Sequence, residues 1–360
     1  MEIIGGGRLE VRLTRADVGK RVSVRYVTDS GAPGGRFSDA VGVLTSWDAG
    51  VLTITRKSGE AVRIPELRLA AGKVVPAAPA RRRGPAATFP ELSRVAARAW
   101  QPVESEPLGG WTLRAAIVEE PGDAGPAGRS PADGPGGAVA GRRVGFTRRA
   151  NSALPDGDPG RPVAEALEAV RKWYADRGLP AYVQAGTGAE SAQELLCADL
   201  ERLGWRREVT AELRIAALAP LADREPGPAE VRLSRTLDEP WLRRYQRFTG
   251  AGPAVRHVLS SGPSVWFASV AGTGEVPAAI GRCVVDGRWA GFMAVEVDPA
   301  LRRRGLATAV MAALARQALD EGASAAWLQV EADNDGARAL YEGMDFAVHH
   351  HYHHYRQPEA

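Results

Sequence analysis

Hydrophobic and polar positions follow three regimes along the chain. Between residues 8 and 75 they alternate in short runs, at 21–27, 40–45, 51–55 and 61–64, with turn-forming residues at 29–31, 47–50 and 57–59. Alternation with period two and no helical period predicts closely spaced strands, and so many short strands predict a small all-β barrel over residues 1–75. Residues 76–87 have no periodicity. Proline there alternates with alanine and with Arg81, Arg82 and Arg83, which predicts an extended linker and a barrel that is tethered and not fused. Beyond it, apolar runs of strand length alternate with helical periods, the mark of an α/β (α+β) chain.

That second pattern occurs twice. In residues 88–222 a helix is expected at 90–100, strands at 111–118 and 143–148, and a helix at 163–177. Residues 119–141 break this half with proline, glycine and alanine and predict a disordered insertion. In residues 229–356 strands are expected at 230–234, 265–270, 278–285 and 291–297, with Asp238 capping a helix after the first of them. Leu306, Val310, Leu314 and Ala318 then recur every four positions, one apolar stripe on a helix running to about Gly322. A strand at 326–330 and a helix at 335–341 follow. The run Ala181-Tyr-Val-Gln184, its helix and Gly204-Trp205 parallel Ala326-Trp-Leu-Gln329, its helix and Phe346, so the halves are expected to share a fold.

Chemistry concentrates where the strand 291–297 gives way to the long helix. Asp298-Pro299 ends the strand, because proline removes a ladder donor and fixes φ. Arg302-Arg303-Arg304-Gly305 then leads into the helix. Glycine lets a ligand approach the backbone, the first amides of the helix have no internal partners, and the helix dipole and the arginines add positive charge. The combination is an anion cradle suited to a phosphate group.

The order Arg302-x-x-Gly305-x-Ala307 between a strand and a helix, followed by Asn334 and, seven residues on, Tyr341, resembles the coenzyme A loop and Asn-x(6)-Tyr arrangement of the GNAT superfamily of N-acetyltransferases. The resemblance implies tandem GNAT-like mixed-sheet domains, a degenerate one at 88–222 and a catalytic one at 229–356. The barrel resembles the Src-homology-type barrels attached to some actinobacterial acetyltransferases. Acetyl-CoA is the implied co-substrate, held by Val295, Val297, Arg302, Arg303, Arg304, Gly305, Leu306, Ala307, Thr308, Asn334 and Tyr341. Tyr341 matches the family's general acid. Glu296 is the candidate base, although alternation with Val295 and Val297 aims it either at the acceptor or at solvent, and a water chain is the other route. Some relatives carry glutamate where this chain has Gln329, and Asp345 stands where the family usually has glycine. In the first half, the loop 154–162 carries Asp156 and Asp158, which would repel a pyrophosphate, and no tyrosine matches Tyr341.

The implied function is acetyl transfer from acetyl-CoA to an amine of a small molecule or a peptide. The alternative is a non-catalytic acyl-CoA-binding regulator or scaffold whose barrel binds nucleic acid or protein. It draws on charge: residues 1–83 hold 15 Lys+Arg against 8 Asp+Glu. No apolar run reaches the roughly 18–20 residues of a membrane span and the N-terminus lacks a signal-peptide core, so a cytoplasmic chain is expected. Cys197 and Cys283 read as core thiols. The resemblance places the five histidines between 349 and 354 on the last strand of the fold, where ligands on one face sit about 7 Å apart, so no metal site is expected.

Overall fold

The computed structural model describes residues 10–28, 36–76, 84–120, 142–225, 229–245 and 252–357. At the front, β1 (Arg21–Thr28), β2 (Arg36–Asp48), β3 (Val51–Thr55), β4 (Ala61–Pro65) and β5 (Leu69–Val74) form an antiparallel sheet in the order β4-β3-β2-β1-β5. The period-two pattern is what closes it: Val22, Val24, Leu52, Ile54 and Ile64 point into one small core with Leu13 and Leu44. Trp47 joins that core and donates its indole N–H to Glu66, Tyr26 packs against it, and Phe37 stays on the surface.

The body of the molecule starts with α1 (Phe89–Ala99), which Thr88 caps by accepting from the Glu91 amide. A hairpin follows, β6 (Glu104–Leu108) with β7 (Trp111–Ala115). Then β8 (Ile117–Glu120) pairs with β9 (Arg142–Gly145). The expected insertion falls outside the described residues except at its start, since Glu119 and Glu120 are paired in strand with Arg143 and Arg142. The run expected as one strand at 111–118 divides at Ala116 into β7 and β8. The half continues with β10 (Leu154–Pro155), α2 (Val163–Ala175), β11 (Tyr182–Thr187), α3 (Glu194–Arg202), β12 (Arg206–Ala217) and α4 (Ala219–Ala222).

The second half contains β13 (Val231–Ser234), α5 (Glu239–Arg244), α6 (Pro253–Ser260), β14 (Ser264–Val270), β15 (Ala279–Asp286) and β16 (Trp289–Val297). After them come α7 (Leu306–Asp320), β17 (Ala325–Glu331), α8 (Asp335–Glu342) and β18 (Ala347–Arg356). The order helix, strand, helix, strand of α2 to β12 is thereby repeated by α7 to β18, as the internal repeat predicts. Asp345 adopts the left-handed conformation, φ 64°, expected where the family usually has glycine.

One eight-stranded sheet spans both halves, ordered β11-β18-β12-β17-β16-β15-β14-β13. Its middle is interleaved. β18, from the second half, lies between β11 and β12 of the first, and β12 lies between β17 and β18 of the second. One core cluster joins α1 (Leu92, Val95) and α6 (Val258, Leu259) to residues of β12, β15, β16 and β17. Two others lie beneath α7 and beneath α2 with α3. Arg282 on β15 is fully buried and donates to Ala99 and Ser261 carbonyls at 3.0 and 2.5 Å, tying the ends of α1 and α6 to the sheet.

The tethered barrel also touches the body. Its β3–β4 turn rests on the body: Thr187 Oγ1 donates to the Lys57 carbonyl at 3.0 Å and Arg207 Nη2 to the Gly59 carbonyl at 2.8 Å. The same two side chains also bond within the body, Arg207 to Glu201 and Thr187 to His353, so the turn carbonyls join an existing polar network. Residues 77–83 of the linker lie outside the described part.

Candidate functional site

The site begins with a gap in the sheet. β16 and β17 run parallel but pair only from Trp289 with Ala325 to Phe292 with Leu328. Beyond that point β16 follows β15 as far as Val297, and β17 follows β12 as far as Glu331. A bulge starts the separation: Ala294 has φ 51° and the β15–β16 register shifts between Ile280 and Arg282. An extra residue bends its strand and re-aims the side chains after it.

After the bulge, Glu296 lies opposite Ile280, so the two share a face of the sheet, and Ile280 belongs to the core under α1 and α6. Glu296 is half-buried there. This decides the orientation that alternation alone leaves open. Val295 and Val297 pack instead towards the α7 core. Across the gap, Trp327 and hence Gln329 are on the Glu296 side, and the Gln329 Oε1 is buried with no hydrogen bond among the described residues.

The cradle follows directly. Asp298 accepts from the Ala300 amide at 2.9 Å and from Arg244 at 2.7 Å, and the Ala300 bond first, then the guanidinium, hold its carboxyl below the usual carboxylate range. Arg244 is buried and also donates to the Pro277 carbonyl at 2.7 Å, so it fixes the entrance of the loop to the β14–β15 connection. Gly305 is the N-cap of α7 with φ 78°, and no side chain caps the helix. Its first internal bond is Ala309 N–H to the Gly305 carbonyl, 2.9 Å, which leaves the amides of Leu306, Ala307 and Thr308 at the open end. A side chain built at 305 would meet nothing within 4 Å, so the space over the loop is open to a ligand. Arg302, Arg303 and Arg304 are exposed and make no ion pair among the described residues. These features fit a phosphate-bearing group.

Tyr341 lies on α8, half-buried at the edge of the α7 core, its ring 6.0 Å from that of Phe346. Val295, Val297 and Leu306 border the same cluster, so strand end, helix start and tyrosine converge on one core edge. Asn334 caps α8, its Oδ1 accepting from the Ala337 amide at 3.1 Å. No residue of α8 is fully buried, and the helix is held partly by first-half residues. Glu212, on β12, approaches Arg338 at 3.4 Å, and Arg224 donates to the Gly343 carbonyl at 2.6 Å. Sequence reasoning missed Arg244, Glu212 and Arg224; each acts across 54 or more residues of chain, and no local pattern marks them.

The first half is built differently: α2 also starts without a side-chain cap, but no run of arginines precedes it. Its parallel contact is the bridge of Ala153 with Val183, and the Gln193 side chain spans the neighbouring gap. The Gln193 amide donates to the Pro155 carbonyl, and its Oε1 accepts from the Gly186 amide at 2.9 Å. A protein amide therefore occupies the inter-strand position that is open in the second half.

Comparison with known proteins bears on the chain as a whole, since one family model spans both halves. The model of a family described as "Probable histone acetyltransferase Rv0428c C-terminal" matches residues 139–355, and that of the "Rv0428c N-terminal Sm-like domain" matches residues 16–75. The chain belongs to this family. Membership gives the reaction class, an acyltransferase, and does not favour the non-catalytic alternative. The front barrel matches a domain described as Sm-like, which sharpens the expected small barrel. The "Probable histone acetyltransferase Rv0428c" of Mycobacterium tuberculosis is 27% identical over 338 residues, 93% of each chain. Among solved structures, a GCN5-related N-acetyltransferase from Kribbella flavida aligns with TM-score 0.47 and 18% identity, over 76% of this chain and 98% of that one. A tandem GNAT protein from the clavulanic acid biosynthesis pathway aligns with TM-score 0.46 and 16% identity, over 58% and 76%.

No helix among the described residues is long and apolar enough to cross a membrane. Three of the β18 histidines are built into the core: His353 meets Thr187 and Thr210 at 3.0 and 2.9 Å, and His350 and His354 are buried, while His349 and His351 are half-buried. Cys197 and Cys283 are buried free thiols.

Proposed function

We propose that the chain transfers an acetyl group from acetyl-CoA to the amine of a protein or peptide. The observation that carries the reading is the open, uncapped start of α7 beside a parted pair of parallel strands. The Leu306, Ala307 and Thr308 amides would receive the pyrophosphate, with Arg302, Arg303 and Arg304 supplying charge. The strand edge from Val295 to Val297 would orient the thioester carbonyl, and the Asn334 Nδ2, left over from capping, would meet the pantetheine chain. Acetyl-CoA supplies an activated acyl group; the protein's task is to place it and move two protons.

Glu296 would take a proton from the acceptor ammonium, directly or through a water, while the buried Gln329 Oε1 offers that ammonium a second acceptor. As nitrogen bonds to the carbonyl carbon and the carbon–sulfur bond breaks, the Tyr341 hydroxyl would give its proton to the departing sulfur, and the nitrogen would release its second proton, which returns through water to the tyrosinate and leaves a neutral amide. A protein acceptor is drawn from the relative's name, histone acetyltransferase. The test is thiol release from acetyl-CoA with lysine-rich peptides, polyamines and small amines as separate acceptors. Peptide-dependent release is expected; release driven only by small amines would overturn the protein-acceptor reading, and no release with any amine would overturn acetyl transfer itself.

A further inference from the structure

The first half carries a cavity of about 390 Å³ that acetyl transfer does not use. It lies between α1, the loop after β10 and the starts of α2 and α3, well apart in the fold from the α7 cradle. Phe89, Trp111, Val163 and Leu196 provide apolar wall. Two charged groups of opposite sign line the same space, Arg94 from α1 and Asp156 from the loop. They sense one another electrostatically, yet they close no ion pair among the described residues. Arg94 is exposed at the rim and, among the described residues, bonds to the Pro90 carbonyl at 3.3 Å within its own helix. Solvent reaches Asp156 at the mouth, but surrounding protein still raises its carboxyl above the usual range, against the pull of Arg114 and Arg94.

A cation and an anion held apart over an apolar chamber match a ligand that carries both charges and an apolar tail. We propose that this cavity binds a free apolar α-amino acid, its carboxylate on Arg94, its ammonium on Asp156 and its side chain against Trp111 and Phe89. The volume is at the small end of ligand pockets, roughly 300–1,000 Å³, and suits a molecule of that size better than a coenzyme. Asp156 and Asp158 disfavour a phosphate here, and Gln193 closes the inter-strand gap. The inference does not depend on acetyl transfer, because binding is read without acetyl-CoA.

The experiment is calorimetry on the full chain with L-leucine and L-phenylalanine, alongside isoamylamine and 4-methylpentanoate, which each lack one charge of leucine. One site per chain is expected for a zwitterion, with each single-charge analogue weaker by about tenfold or more, the size expected for losing a charged hydrogen bond. Asp156→Asn and Arg94→Gln should each weaken L-leucine by a similar factor while leaving the thermal midpoint close to that of the parent. Absence of binding by both amino acids at ~10 mM, where even a millimolar site would fill, overturns the proposal. So does equal binding of the analogues, or undiminished affinity in both variants.

Discussion

At the scale of single residues, the site separates holding from proton transfer, and two substitutions should separate them in the laboratory. Gly305 has φ 78° and open space above it, so Gly305→Glu places a strained side chain and a negative charge where the pyrophosphate is proposed to sit. Acetyl-CoA affinity measured by calorimetry should fall by about a hundredfold or more, given a charge reversal at a charge-assisted contact. Tyr341→Phe keeps the ring that packs near Phe346 and removes only the hydroxyl, so affinity should hold while turnover falls ~100-fold. Turnover at the parental rate would make Tyr341 a packing residue and leave the sulfur to take its proton from water. The cradle was legible because strand end, arginines, glycine and helix stripe are consecutive in sequence. The direction of Glu296 was not, because it depends on a bulge at Ala294 that no residue type at that position announces.

Among elements, α7 sets where the cradle sits, and its position depends on close contact with β15. It buries Val310, Met311 and Leu314, each contributing roughly 1.5–3 kcal/mol of apolar burial. Gly281 on β15 is what allows the approach: a Cβ there would lie 2.5 Å from Val310 Cγ1 and 3.2 Å from Leu314 Cδ1. Gly281→Val should overpack this contact, destabilise the fold by about 1–3 kcal/mol and shift the helix start. We expect a lower thermal midpoint together with a raised KM for acetyl-CoA; an unchanged midpoint would mean that the contact has slack. Most elements of the second half were readable from period alone, because each carries enough apolar residues to show 3.6 or 2. The 12 residues of β12 were not resolved as a strand, since Glu212 and Arg214 put charge at strand positions. That charge is neutralised only in the tertiary structure, where the two pair at 2.6 Å in a buried setting beside α8.

For the whole molecule, β18 is the element on which the parts meet, since it pairs with β11 and β12 and lies under the barrel's turn. Burial lowers the pKa of His349, His350, His351, His353 and His354, with His353 down to about 3. Nearby Lys57, Arg207 and Arg149 act in the same direction, while Glu212 opposes it at His351. The unfolded chain takes up protons near pH 6.5 and the folded chain does not. Stability is therefore complete above that pH and is lost progressively as the pH falls below it towards the folded pKa values. The thermal midpoint should drop clearly between pH 7.5 and 5.5, and a flat profile would contradict the buried, neutral state of these rings. The interleaving makes a stronger demand. Residues 84–225 alone would lack β18 between β11 and β12, and residues 229–357 alone would lack β12 between β17 and β18. Each fragment would then expose two unpaired strand edges inside its own sheet, where water or aggregation must satisfy the backbone. Neither half should unfold cooperatively when produced by itself, whereas the two produced together should recover a single complex that does. A half that gave a sharp, reversible transition as a monomer would show that the exchanged strands are an accessory contact and that each repeat folds as its own unit.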